Sequence, residues 1–246
     1  MIDWHTRFIQ QAAWTRPLRD YIFERCGLDK ASRLLEVGCG TGAILADLKE
    51  RPLLVHGIDL DPLRLAQAQR VVPAVRLLRG DALALPYADG AFDVVFCHFL
   101  LLWVRDPLQA LQEMRRVTRS GGYVMALAEP DYLHRVDRPL SLVAAGRLQT
   151  ASLRHQGADP GLGQRLSALF RQAGIEIIET GQLQAAGAAS SDGQPEWDVL
   201  EADLAGMASP ALLEEWRSID QRARAQGRRV LHVPTYFAFG RSGTSR

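Results

Sequence analysis

The chain has 246 residues, nearly half of them hydrophobic and about a quarter charged, the composition of a globular protein of one large domain. A formal net charge of +1 excludes a nucleic-acid binder that works through bulk electrostatics. Cys26, Cys39 and Cys97 are scattered and never form a Cys-x-x-Cys pair, which supports neither a disulfide framework nor a zinc site and suits a reducing cytoplasm. An N-terminal helical stretch precedes a run of alternating elements. "RLLEVG" (33–38) reads as a buried strand, followed by a helix over about 41–50. "LLVHGID" (53–59) is the next strand, then a helix opening at Pro62, a third strand over 74–81 and a fourth over 92–98. A helix over 106–122, stopped by two glycines, leads to a fifth strand over 123–129. Continuous aliphatic strands separated by helices mean βαβ units and a parallel sheet covered on both faces.

The remainder is less regular. Residues 130–158 and 187–229 read as inserted helical segments around a sixth strand (175–183), with "AAGAASSDGQP" (185–195) the most linker-like stretch. A strand over 232–240 closes the fold, and 241–246 read as a disordered tail. No signal segment is expected at the start. The most apolar run, "VVFCHFLLLWV" (94–104), is too short for the ~20 residues of a membrane span.

The chemistry concentrates in "LLEVGCGTGA" (34–43), three glycines directly behind a strand, at the sheet edge where such folds bind ligands. Gly38, Gly40 and Ala43 satisfy the dinucleotide fingerprint, and Asp59 lies about 20 residues on, as that fingerprint requires. A nicotinamide-dependent oxidoreductase is therefore one reading. It predicts a second half-sheet after residue 130 and a Tyr-x-x-x-Lys or equivalent, yet no lysine occurs beyond Lys49. Glu36, two residues ahead of Gly38, suits a cationic ligand better than a phosphate. Asp81, followed by Ala82, adds an acidic group at the end of the third strand.

Together, "LLEVGCGTGAIL", "GIDLDP" and "GDALALPYADGAFDVVFCHFLLLWVRDPLQALQEMRRVTRSGGYV" resemble the class I S-adenosylmethionine-dependent methyltransferases, nearest the small-molecule branch that includes the ubiquinone and menaquinone methyltransferases. The resemblance covers roughly residues 30–130 and the closing strand pair. It implies a Rossmann-like α/β fold with a seven-stranded, mostly parallel sheet, helices on both faces and an antiparallel last strand. It implies S-adenosyl-L-methionine as cofactor, Gly38, Cys39, Gly40 and Gly42 along its methionine and ribose, and Glu36 beside its cationic end. Asp59 would accept from the ribose hydroxyls, Leu60 would pack on the adenine, and Asp81 and Ala82 would bind it. Cys97 and His98 would pass near the methionine end. The stretch "QQAAWTRPLRDY" resembles a lid helix, placing Gln10, Gln11 and Trp14 at the cofactor and making residues 1–30 a lid over a 31–129 cofactor-binding core.

No catalytic base is assigned; His98, Asp131, Tyr132 and His134 are candidates. "CHFLLLWV" lacks the Asn/Asp-Pro-Pro-Tyr/Phe signature of adenine or glutamine methylation, and Cys97 has no preceding proline, so a small organic acceptor fits better than nucleic acid. Trp4, Phe8, Trp14 and the "EPDYLHRVDRP" segment are expected to roof the acceptor, with Trp197 and Trp216 in the core. A non-catalytic S-adenosylmethionine-binding protein fits the same residues, because the transfer needs no obligatory catalytic side chain.

Overall fold

A computed structural model describes residues 3–28, 32–48, 54–183 and 194–243. In chain order the strands are β1 (Arg33–Val37), β2 (Leu54–Asp59), β3 (Arg76–Arg79), β4 (Phe92–Cys97), β5 (Thr118–Pro130), β6 (Val136–Arg138), β7 (Ile175–Gln182), β8 (Val230–His232) and β9 (Thr235–Ser242). The helices are α1 (Trp4–Arg25), α2 (Ala43–Leu48), α3 (Pro62–Val71), α4 (Pro107–Val117), α5 (Val143–His155), α6 (Leu162–Gln172), α7 (Gln194–Asp203) and α8 (Pro210–Ala225). Seven strands form one sheet in the order β3-β2-β1-β4-β5-β9-β7. β9 alone runs against its neighbours, pairing antiparallel with both β5 and β7.

The period-two alternation of the central strands explains the layers. Leu35, Val37, Val95 and Cys97 face the side where α4 and α6 contribute Leu111, Met114, Leu166 and Phe170. Leu34, Val94 and Phe96 face the opposite side, against Ile22 and Phe23 of α1 and Ile44 and Leu48 of α2. Each such side chain, taken wholly out of water, contributes ~1.5–3 kcal/mol. Helix starts follow local chemistry: Asp61 accepts from Leu63 N (2.8 Å) ahead of Pro62, and Asp106 accepts from Gln109 N (2.9 Å) ahead of Pro107.

Several boundaries differ from expectation. α4 ends at Val117, ahead of the two glycines, because the Thr118 hydroxyl donates to the Met114 carbonyl (2.6 Å) and the chain enters β5 directly. The segment 130–158 is not purely helical: β6 lies within it and pairs with β8 in a separate two-stranded sheet. The strand expected from 232 accordingly divides, and β9 runs on through Ser242, two residues into the stretch read as a tail. The linker-like residues 185–193 and the end of the tail, 244–246, lie outside the described residues. Among the described residues no second half-sheet follows residue 130, and no helix is long and apolar enough to cross a membrane.

α6 approaches the sheet closely because Gly163 allows it. A Cβ there would lie 2.5 Å from the Glu129 carbonyl oxygen and 3.1 Å from the Pro130 carbonyl carbon, backbone atoms that cannot step aside. Gly163→Ala is expected to lower folding stability by ~1–3 kcal/mol, read from denaturant midpoints at unchanged m-value.

Candidate cofactor and acceptor site

The strand order reverses on either side of β1, whose neighbours are β2 and β4, so the loops leaving β1 and β4 diverge and open a crevice. A cavity of about 750 Å³ fills it. The glycine loop forms one wall. Gly38, Gly40 and Gly42 have φ of +74°, +51° and +79°, a region costly for any residue with a Cβ. The loop is tied to the end of β2: Gly38 N and Cys39 N donate to the Ile58 carbonyl at 2.8 and 3.0 Å. Asp59 Oδ2 accepts from Gly40 N at 2.7 Å, while its Oδ1 accepts from Asp61 N at 2.9 Å. The carboxylate thus fixes the loop and retains further lone pairs for a ligand.

Glu36 lies at the cavity's inner end, 3% exposed. Its Oε2 has no hydrogen-bond partner among the described residues. Burial raises its proton affinity well above that of an ordinary carboxyl, against the pull of Arg19 and with a push from Asp59. A buried acceptor left open in this way is complementary to a cationic or N–H-bearing group.

Of the residues expected at the cofactor, Glu36, Gly38, Cys39, Gly40, Asp59, Leu60, Asp81, Ala82 and His98 line this cavity. Three do not. Gly42 faces away, where a Cβ would meet Ala68 Cβ and Val72 Cγ2, both at 3.3 Å; its role is close packing with α3. Cys97 is wholly buried in the core beneath β4, where burial drives its thiol pKa upward. Trp14 points elsewhere on α1, 4.8 Å beneath the Arg7 guanidinium. From the same helix it is Trp4, Arg7, Phe8 and Gln11 that line the cavity, one face at helical spacing. Gln10 instead accepts from Arg7 Nη1 at 3.4 Å. His5 Nδ1 lies 2.8 Å from Thr41 Oγ1, joining α1 to the glycine loop.

Among the candidate bases, Asp131 is buried against Leu133 N (3.0 Å) and His134 Nδ1 (2.6 Å), and neither it nor His134 lines the cavity. His98 and Tyr132 do. His98 Nε2 lies 3.1 Å from Thr15 Oγ1, which receives a hydrogen bond from Arg19 Nη1 at 2.5 Å. Burial, reinforced by Arg19, pushes the imidazole down to about 3. The ring is therefore neutral and a poor base. Its resonances are expected not to titrate between about pH 5 and 8 in an NMR titration of the histidine side chains, where a solvated imidazole would pass through its midpoint. Burial raises the Tyr132 phenol as well, keeping it protonated.

Arg64, Trp103, Arg105, Gln156 and Asp203 also line the cavity and carried no sequence signal. Asp203 closes α7 and accepts from Gln149 Nε2 at 2.7 Å, with burial raising its pKa. Its contact with α5 is between residues 54 apart in the chain, beyond the reach of any local pattern.

The match to a family model described as "Methyltransferase domain" spans residues 35–126. The chain is 32% identical over 180 residues to a demethylmenaquinone methyltransferase of Lysinibacillus sphaericus, covering 65% of this chain and 76% of that protein. It is 36% identical over 136 residues to a malonyl-[acyl-carrier protein] O-methyltransferase of Halorhodospira halophila, a match covering 52% of this chain and 46% of that protein, so the chain spans about half the length of such relatives. Among solved structures, the [4+2]-cyclase SpnF shares the fold at a TM-score of 0.61, with 24% identity over 93% of this chain and 82% of that one. With the parallel sheet, the glycine loop and the crevice beside it, these matches show that the chain belongs to the class I S-adenosylmethionine-dependent methyltransferase family.

Proposed function

We propose that this protein transfers a methyl group from S-adenosylmethionine to a small organic acceptor. The observation that carries the reading is the unpartnered Glu36 Oε2 at the inner end of the cavity. A dinucleotide would bring phosphates toward that carboxylate, whereas the ammonium and sulfonium of S-adenosylmethionine complement it. In this reading the backbone of Gly38, Cys39 and Gly40 borders the methionine portion, and Asp59 accepts from the ribose hydroxyls. Leu60, Asp81 and Ala82 surround the adenine. α1 acts as the lid, and the segments around α5 and α7 cover the acceptor.

The cofactor supplies an activated methyl group and its own leaving group. The protein's part is orientation, worth up to ~7–11 kcal/mol when two reactants are held aligned. His98, fixed by Thr15 and kept neutral, positions rather than deprotonates. Tyr132 lines the cavity with its phenol kept protonated by burial. The lining therefore favours an acceptor whose nucleophile needs little help in losing a proton. The test is incubation with methyl-labelled S-adenosylmethionine and a panel of phenols, quinols, amines and acids. Transfer of label with matching release of S-adenosylhomocysteine supports the reading. Tight cofactor binding with no transfer to any acceptor would favour a non-catalytic cofactor-binding protein.

A further inference from the structure

Beside the main cavity lies a smaller chamber of about 80 Å³. Arg7, Tyr132 and Val199 line both spaces, so the chamber adjoins the main cavity on the side of α1 and α7. Its charged lining consists of four arginines, Arg7, Arg135, Arg224 and Arg229, against two carboxylates, Glu196 and Asp220. Most of these groups satisfy one another. Asp220 accepts from Arg224 Nε at 2.6 Å and from Arg229 Nε at 2.5 Å. Arg135 is engaged by Asp137, which lies behind it, and by Gln149.

Two donors are left over. Arg7 Nε and Trp197 Nε1 are both buried and have no hydrogen-bond partner among the described residues. The Arg7 side chain is only 12% exposed, and its Nη1 reaches Glu196 Oε1 and Gln10 Oε1 at 3.4 Å each, longer than a well-formed N–H···O bond. Trp197 is 5% exposed. A buried donor without an acceptor costs ~1–3 kcal/mol, and two of them on residues that line one chamber, one belonging to a guanidinium, describe a site missing an anion.

We infer that this chamber binds a carboxylate, and that in the methyl-transfer reading above, on which this part rests, the carboxylate is the anchoring acid group of the acceptor. One oxygen accepts from Arg7 Nε–H and the other from Trp197 Nε1–H. The chamber accommodates a terminal acid group, and the rest of the molecule extends past Tyr132 into the main cavity. The acid group is held away from Glu36 and the glycine loop, so it anchors the acceptor rather than receiving the methyl. Placing it on α1 and α7 couples recognition of the acceptor to the two helices that cover the site.

The experiment follows the indole N–H signals of the intact protein, labelled with ¹⁵N at its five tryptophans. The Trp197 signal is identified as the one missing from Trp197→Phe. Sodium butyrate, its neutral isostere butyramide and inorganic phosphate are titrated separately. Butyrate is expected to shift the Trp197 signal saturably, with butyramide and phosphate leaving it in place. Arg7→Gln should raise the half-saturating butyrate concentration at least about tenfold, as loss of a charge-assisted hydrogen bond requires. If that variant fails to fold, Arg7→Lys carries the test: it keeps the charge, loses the directed Nε–H, and should weaken butyrate severalfold. Equal responses to butyrate and butyramide would overturn the inference in favour of a chamber filled by water. A response to phosphate alone would overturn the carboxylate assignment, and no saturable response to any probe would remove the site. None of these readings requires S-adenosylmethionine or turnover. A protein that transfers methyl groups yet ignores butyrate contradicts only this inference, and one that binds butyrate yet never transfers a methyl contradicts only the proposed function.

Discussion

Asp59→Ala is expected to weaken S-adenosylhomocysteine binding by about a hundredfold, measured by titration calorimetry. The proposed ribose placement gives Asp59 two hydrogen bonds from hydroxyls, each worth ~1.5–3 kcal/mol, and ~2.8 kcal/mol already corresponds to that factor. The same change strands Gly40 N and Asp61 N, the two donors the carboxylate now satisfies, so the glycine loop loses its tie to the end of β2. Asp59→Asn separates the two effects. An amide can accept from one of those N–H groups but turns its own NH₂ toward the other, so an intermediate loss is expected. Unchanged affinity in Asp59→Ala would sink the placement of the ribose.

The second large effect concerns Glu129, wholly buried at the end of β5. Its Oε1 accepts from Leu100 N at 3.1 Å and Leu101 N at 3.0 Å, and its Oε2 from Leu102 N at 3.2 Å. These are the N–H groups that open the short 3₁₀ turn Leu101–Trp103, which has no other cap. Leu100, Leu102 and Trp103 all line the main cavity, so one carboxylate sets the shape of that wall. Glu129→Ala strands three donors, those of Leu101 and Leu102 buried, and leaves a void, an expected loss of ~3–5 kcal/mol of folding stability by denaturant titration.

Glu129 also sets a pH dependence with a definite sign. Burial raises the carboxyl to about 7, outweighing the three backbone hydrogen bonds that lower it. The folded protein therefore holds this proton more tightly than the unfolded chain, whose value is near ~4.3. The stabilisation is fully present below the unfolded value and is lost as pH rises through about 7. At ~1.4 kcal/mol per pH unit the interval amounts to ~4 kcal/mol. Glu129→Gln cannot titrate, so the stability difference between it and the wild type should move toward the variant by about that amount between acid and neutral pH. Glu36 is common to both proteins and cancels in the difference. A difference that stays flat with pH would mean that the Glu129 carboxyl has the same proton affinity folded and unfolded, and one that moves toward the wild type would mean that it stays ionised in the folded state.

Much of this was legible in the chain because it is local. The strands of the parallel core are short apolar runs bounded by turns. The loop glycines, Glu36 and Asp59 sit at fixed spacings around them, and all but Gly42 reached the cavity. Gly42 shares the motif but serves the packing of α3, a distinction that depends on Ala68 and Val72 rather than on the motif. Cys97 illustrates the alternation of a strand: it is adjacent in sequence to His98, which faces the cavity, yet it points into the core. Trp14 lies on α1, which borders the cavity, without lining it. Trp4 and Phe8 share a face with Arg7 and Gln11, whereas Trp14 lies off it. Arg7, Gln156 and Asp203 were not legible, because the contacts that place them join α1, α5 and α7 across the inserted segments. The pairing of β6 with β8 was missed for the same reason: its partners are more than ninety residues apart, Arg138 with Val230 and Val136 with His232.

The central claim is that the glycine loop, Glu36 and Asp59 form a site for S-adenosylmethionine rather than for a dinucleotide. Calorimetric titration of the purified protein with S-adenosylhomocysteine, run beside an identical titration with NADH, tests it most directly. Saturable, low-micromolar binding of S-adenosylhomocysteine with no heat from NADH is the expected result. Binding of NADH alone would contradict the account, because it would mean that phosphates are accepted beside the unpartnered carboxylate of Glu36.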